Sequence, residues 1–204
     1  MVLLYNYNIQ RVLNHLILNT SFLENKGLYY GKMGIVLFFF HYARYYKMQL
    51  YNDFAEDLLE EIMNEVNENL SLEFKNGLSG IGWGIVYLLN NGFVCGDPND
   101  VLEEVDSIIV KYIHQNGVNI VEDECFCGIL YYLNMRLTSY SCTLRSIYLS
   151  NWGLTFEDIE GKSFDLLLMI QNNLFNIDSD ISKWKMGLKD GCSGLIMKSF
   201  CANI

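Results

Sequence analysis

Cys125 and Cys127, in the stretch VEDECFCGI that begins at Val121, are the closest thiol pair in the chain. A tetrahedral zinc site is normally built from Cys-x-x-Cys with a second pair elsewhere, and the other candidates here, Cys142, Cys192 and His114, stand far off in sequence. This spacing favours small buried thiols at a helix start, so no metal site is expected, and Cys125 and Cys127 are the candidates should one exist. A second kind of chemistry needs paired carboxylates. Glu122, Asp123, Glu124 and Asp190 lie near turns, where two could meet as acid and base, although capping of helix N-termini is the plainer role. Glu124 and Asp190 are the catalytic candidates carried forward. His15, His41 and His114 occur singly on helical segments, the pattern of hydrogen-bonded core histidines. Tyr29, Tyr30, Trp83 and Trp184 are of a size to line a peptide groove or to wedge helices apart, with Tyr30 and Trp83 the candidate substrate contacts.

These residues have to be positioned by helices. Ala55, Leu58, Leu59, Ile62, Met63, Val66 and Leu70 fall at helical spacing, with Glu56, Glu60, Glu61, Glu65 and Glu68 on the other side. The segment after Pro98 repeats that design through Ile113, opened by Asp97 as N-cap and Pro98 at the first helical position. Leu3 to Leu18 and Phe164 to Phe175 read similarly. Ile35 to Phe40 and Trp83 to Leu89 are apolar all round and suit helices buried on every side. No alternating strand pattern with hairpin turns occurs, so the fold class is all-α.

Between these helices a glycine pattern recurs. GLYYGKMGI carries Gly27, Gly31 and Gly34; GLSGIGWGI carries Gly77, Gly80 and Gly84; GLKDGCSGL carries Gly187, Gly191 and Gly194. A weaker copy, VEDECFCGI, keeps Gly128. The turns are expected near 27–35, 77–85, 121–129 and 187–195, at intervals of roughly 45 to 65 residues, the scale of helical-pair repeats within one domain over 1–204. A phosphate loop would follow a strand and occur once, so a structural turn is the better reading.

Composition excludes several functions. The chain has 204 residues, 51% hydrophobic, with 24 acidic against 14 basic side chains and a net charge of -10. No basic stripe forms, and nucleic acid is not an expected partner. The opening MVLLYNYNIQRVLNHLIL lacks a basic start and a small-residue cleavage site and reads as a helix. GIVLFFFHYARYY is interrupted at His41 and Arg44, short of the roughly 20 residues of a membrane span, so no membrane partner and a cytoplasmic location are expected.

Units of the form Gly-Leu-x-x-Gly-x-x-Gly-Ile between helix pairs resemble those of the lanthionine synthetase C-like family, the cyclases of lanthipeptide biosynthesis, from about Leu3 to Phe200. The resemblance implies an α/α toroid, here a partial one of about four helical hairpins where family enzymes have about seven. It also implies a zinc ion, held by two Cys and one His, that activates a peptide thiol for addition to a dehydroamino acid. The zinc cysteines would stand two residues before a repeat's central glycine, as Trp-Cys-x-Gly and Cys-His-Gly, and the histidines directly before it. Here those positions hold Tyr29 and Tyr30, Ser79 and Gly80, Asp123 and Glu124, and Lys189 and Asp190. A shifted register at the third copy supplies only Cys127. The expectation is therefore a degenerate or partial cyclase homologue that binds a precursor peptide with no cofactor, zinc entering only if the site is rebuilt unconventionally. Two alternatives stay open: a metal-free toroid enzyme using carboxylates on a saccharide-type substrate, and a structural, partner-binding repeat protein. The missing repeats predict an apolar flank near the last inner helix, covered by a second copy or a partner protein.

Overall fold

The computed structural model describes residues 2–116, 124–138, 140–176 and 180–201. Among them are eleven α-helices and no strand, and the fold class is all-α, as the periodicity predicts. The helices are α1 (Val2–Asn19), α2 (Lys32–Tyr46), α3 (Gln49–Asn64), α4 (Leu78–Asn90), α5 (Pro98–Val101), α6 (Glu103–Asn116), α7 (Glu124–Leu137), α8 (Cys142–Asn151), α9 (Phe156–Ile159), α10 (Leu166–Gln171) and α11 (Cys192–Cys201). No helix of the described residues is long and apolar enough to cross a membrane. The chain divides into two compact units, one formed by Met1–Asn64 with Asp165–Ile204 and the other by Glu65–Phe164.

In the first unit α2 is the central element. Every residue from Lys32 to Ala43 is buried, which explains why its sequence has no polar face. Lys32, whose side chain is 5% exposed, reaches Glu61 of α3 and so is not buried as a bare charge. α3 turns Tyr51, Ala55, Leu58 and Ile62 inward and leaves Asp53, Glu56, Asp57 and Glu60 in solvent. The last inner helix, α11, packs on α1, α2 and α10, and its Ile196, Met197 and Phe200 are buried there. The segment expected to be helical over Phe164 to Phe175 is helical only through α10, capped at Asp165, whose carboxylate accepts from Leu168 N at 2.9 Å.

In the second unit α4 packs on α6 and α7. The helix expected after Pro98 arrives as two, α5 and α6, with a break at Leu102; Asp97 caps the first as predicted, accepting from Asn99 N at 2.8 Å. α8 and α9, at the end of this unit, carry no clean apolar stripe.

His41 lies buried on α2, and burial together with the charge of Arg44 pushes its pKa down to about 4. The unfolded chain therefore takes up a proton below pH 6.5 that the folded unit refuses until near pH 4. Stability is full above pH 6.5 and declines by up to about 3 kcal/mol as pH falls through that window. Urea unfolding at pH 7 and pH 4.5 should show the decline in the native chain and a smaller one in His41→Gln; equal declines would remove His41 as the cause.

Candidate functional site

Three turns share one hydrogen-bond scheme. The first helical N–H donates to the carbonyl seven residues earlier: Lys32 to Asn25 at 2.9 Å, Leu78 to Ser71 at 2.7 Å, Cys192 to Lys185 at 2.7 Å. The next residue repeats the reach, as Met33 N to Lys26 O at 3.1 Å, and through the hydroxyls of Ser79 to Leu72 O and Ser193 to Met186 O, each at 2.6 Å. The loop thus wraps around the residue just before each helix, which is Gly31, Gly77 or Gly191. Gly31 and Gly77 have ordinary extended backbone, with φ of -116° and -132°, so room rather than conformation demands glycine. At Gly77 a Cβ would lie 2.6 Å from the Ser71 carbonyl carbon.

This scheme corrects the register read from sequence. Gly77 matches Gly31, not Gly27, so the second turn is Glu73–Ile81 and Gly80 and Gly84 lie inside α4 rather than in a turn over 77–85. Sequence reasoning aligned the copies on their Gly-Leu openings, whereas the second turn opens on Glu73-Phe74. A second packing rule appears with the corrected register. Gly34 of α2 faces Leu188 of the last turn, where a Cβ would be 3.1 Å from Leu188 Cγ. Gly128 of α7 faces Phe74 of the second turn, at 2.7 Å from Phe74 Cβ. Within each unit the apolar residue of one turn therefore seats on the helical glycine of another, and such close approach is what glycine there permits.

The two residues before each capping glycine are the positions at which the family resemblance would place metal ligands. In the first unit they are Tyr29 and Tyr30, Lys189 and Asp190; in the second they are Lys75 and Asn76, with Glu124 before Cys125 and Asp123 outside the described residues. Phenol oxygens, an amide, ammonium groups and carboxylates are not the thiolate and imidazole set of a two-Cys, one-His zinc site, so these residues do not fit a zinc ion held in that way. Among the described residues no group of three or more His, Cys, Asp or Glu gathers as a metal site. Cys125 and Cys127 are both half-buried on the first turn of α7, and two residues apart on a helix their side chains diverge. Cys192 belongs to the first unit and is buried; burial pushes its thiol up to about 12, which leaves it un-ionised at neutral pH. The side chain of Cys142 lies outside those described.

Each candidate carboxylate has a local partner. Asp190 holds a left-handed backbone, φ 51°, and its carboxylate accepts from Leu174 N at 3.1 Å with Lys189 Nζ at 3.8 Å. Glu124 is open to solvent and pairs with Lys75 at 3.4 Å, an exposed pair of little energetic weight. Glu124 lies in the second unit and Asp190 in the first, so neither unit holds both; Glu122 and Asp123 lie outside the described residues. Tyr30 is 41% exposed and meets Tyr29 edge-on, while Trp83 is 3% exposed and stacks on Tyr87 with centroids 5.3 Å apart. Trp184 is likewise buried, under Arg11 and beside His15, whose Nε2 lies 3.3 Å from the Trp184 carbonyl oxygen. Burial lowers the pKa of His15. His114 sits 3.1 Å from the Asn151 carbonyl oxygen.

Sequence reasoning missed a buried polar network in the second unit. Asp106 of α6 accepts from Tyr132 Oη, and from Arg136 Nε at 3.2 Å and Nη2 at 3.1 Å. Arg136 also donates to Asn99 at 2.9 Å and to Tyr140 at 3.0 Å. Burial raises the Asp106 pKa although the Tyr132 hydrogen bond and the Arg136 charge oppose the rise. The i, i+4 spacing of Tyr132 and Arg136 on α7 was the available signal. A groove of about 190 Å³ between Leu70, Leu72, Ile108 and Tyr112 is spanned by the Lys111–Glu68 ion pair at 2.8 Å. It falls below the roughly 300 Å³ at which small-molecule sites begin.

The sequence model of the family described as "Lanthionine synthetase C-like protein" matches residues 23–197. No curated protein and no solved structure matches.

Proposed function

The chain belongs to the lanthionine synthetase C-like family, and on that premise we propose that it binds a peptide of the thioether-maturation type without supplying zinc chemistry from its own turns. The observation that carries this reading is the donor set before the capping glycines: Tyr29, Tyr30, Lys75, Asn76, Lys189 and Asp190 offer a peptide hydrogen bonds, charge and aromatic faces, and no thiolate or imidazole. Tyr30, exposed next to Tyr29, whose carbonyl accepts from Lys189 N at 2.9 Å, is the natural place for a peptide to touch the first unit, and Lys75 with Glu124 serves the second.

Two measurements test this. Elemental analysis of the purified chain should find far less than one zinc per chain; a full equivalent that disappears in Cys127→Ser would restore zinc chemistry at an unconventional site. A dehydrated, cysteine-containing precursor peptide encoded beside the gene should bind, with its thiols still open to alkylation afterwards. Thiols lost to thioether formation, or no binding at all, would overturn the reading.

A further inference from the structure

The far end of α2 from its glycine turn carries a surface of a different kind. α2 has 15 residues and so spans about 22 Å. It ends at Tyr46, where Lys47 takes left-handed backbone, φ 54°, and Met48 N closes on the Ala43 carbonyl at 3.0 Å before α3 begins at Gln49. On this hairpin tip, RYYKMQL, Tyr45, Tyr46 and Met48 are each about two-fifths exposed and Leu50 is 70% exposed. The two tyrosines rest on a buried aromatic base: Phe200 lies 5.3 Å from Tyr45 and Tyr42 lies 4.5 Å from Tyr46, centroid to centroid.

The charge at the tip opposes that of the chain. With a net charge of -10 overall, residues 41–52 contain Arg44 and Lys47 and no acidic residue. His41, the other titratable group nearby, is buried and held neutral. The first carboxylate, Asp53, stands a turn up α3 and accepts from Gln49 Nε2 at 2.7 Å. We infer that the Arg44–Leu50 tip binds an anionic lipid surface. Leucine and methionine enter the headgroup boundary, the tyrosine rings sit at it, and the Arg44 and Lys47 stems lie along apolar surface with their charges in the anionic layer. The same tyrosines, methionine and arginine would also suit a protein partner, and it is the pairing of two cations with an apolar tip on an otherwise acidic chain that favours the anionic surface. The expectation of no membrane partner rested on the lack of a spanning segment, which a surface contact does not need.

Co-sedimentation of the full chain with phosphatidylcholine vesicles, alone or with about 30% phosphatidylglycerol, tests the inference. Partition onto the anionic vesicles should exceed that onto neutral ones by about 25-fold, each basic group contributing roughly fivefold. The double variant Arg44→Gln, Lys47→Asn should erase the difference, asparagine being tolerant of left-handed backbone. Leu50→Ser should weaken binding to both vesicle types. All variants should keep the native circular dichroism, since the substituted side chains are exposed or at the hairpin turn. No vesicle binding, binding that these variants leave unchanged, or a Leu50-dependent dimer on gel filtration without vesicle binding would each overturn it.

Discussion

Alanine at Gly194 should cost the first unit at least about 3 kcal/mol in chemical denaturation, although alanine favours a helix over glycine by about 1 kcal/mol. The added Cβ would collide with the Leu188 carbonyl oxygen and lie 2.9 Å from its carbon, and it would also press on the Asn173 amide. Neither neighbour can yield. Buried Asn173 donates to Leu188 O at 2.8 Å and lies 3.2 Å from Gly191 O, so moving it breaks hydrogen bonds that water cannot replace. Gly92→Ala is the control: φ there is 61° with nothing within 4 Å, and the cost is backbone strain of about 1 kcal/mol. A Gly194→Ala loss no greater than that of Gly92→Ala would mean that the loop does not wrap the helix start as described.

Asp106→Asn should destabilise the second unit by about 3–5 kcal/mol, because it leaves the Arg136 guanidinium buried without a counter-charge. Arg136 is 3% exposed, and its remaining partners, Asn99 and Tyr140, are neutral. The amide that replaces one carboxylate oxygen would also point donors at donors. Removing both charges should behave differently. A buried ion pair adds little net stability over well-packed apolar side chains of similar volume, so Asp106→Asn with Arg136→Met should recover most of the loss. A double variant as unstable as the single one would show that the network matters through its hydrogen bonds to Tyr132 and Asn99, and not through the buried charge.

How far the sequence alone carries can be judged from particular elements. The all-round apolar run of α2 and the one-sided acidic pattern of α3 announced their burial, because helical spacing maps directly onto which face meets the core. The cap at Asp97 was legible for a similarly local reason: a side chain and an N–H two residues apart need no distant partner. The second turn was misplaced by four residues because Gly77, Gly80 and Gly84 look alike as letters. The carbonyl of Ser71, which wraps Gly77, is what tells them apart.

By itself the sequence determined the helical class, the recurrence of glycine turns and the family likeness, all properties of residue type and short spacing. Tertiary structure decided which glycine caps which helix, that Gly34 receives Leu188 and Gly128 receives Phe74, and that Glu124 meets Lys75 while Asp106 meets Arg136. Each of these side-chain pairings joins segments at least 30 residues apart, and no local propensity encodes such a contact; it forms because close packing within each unit leaves few arrangements that bury its apolar helices.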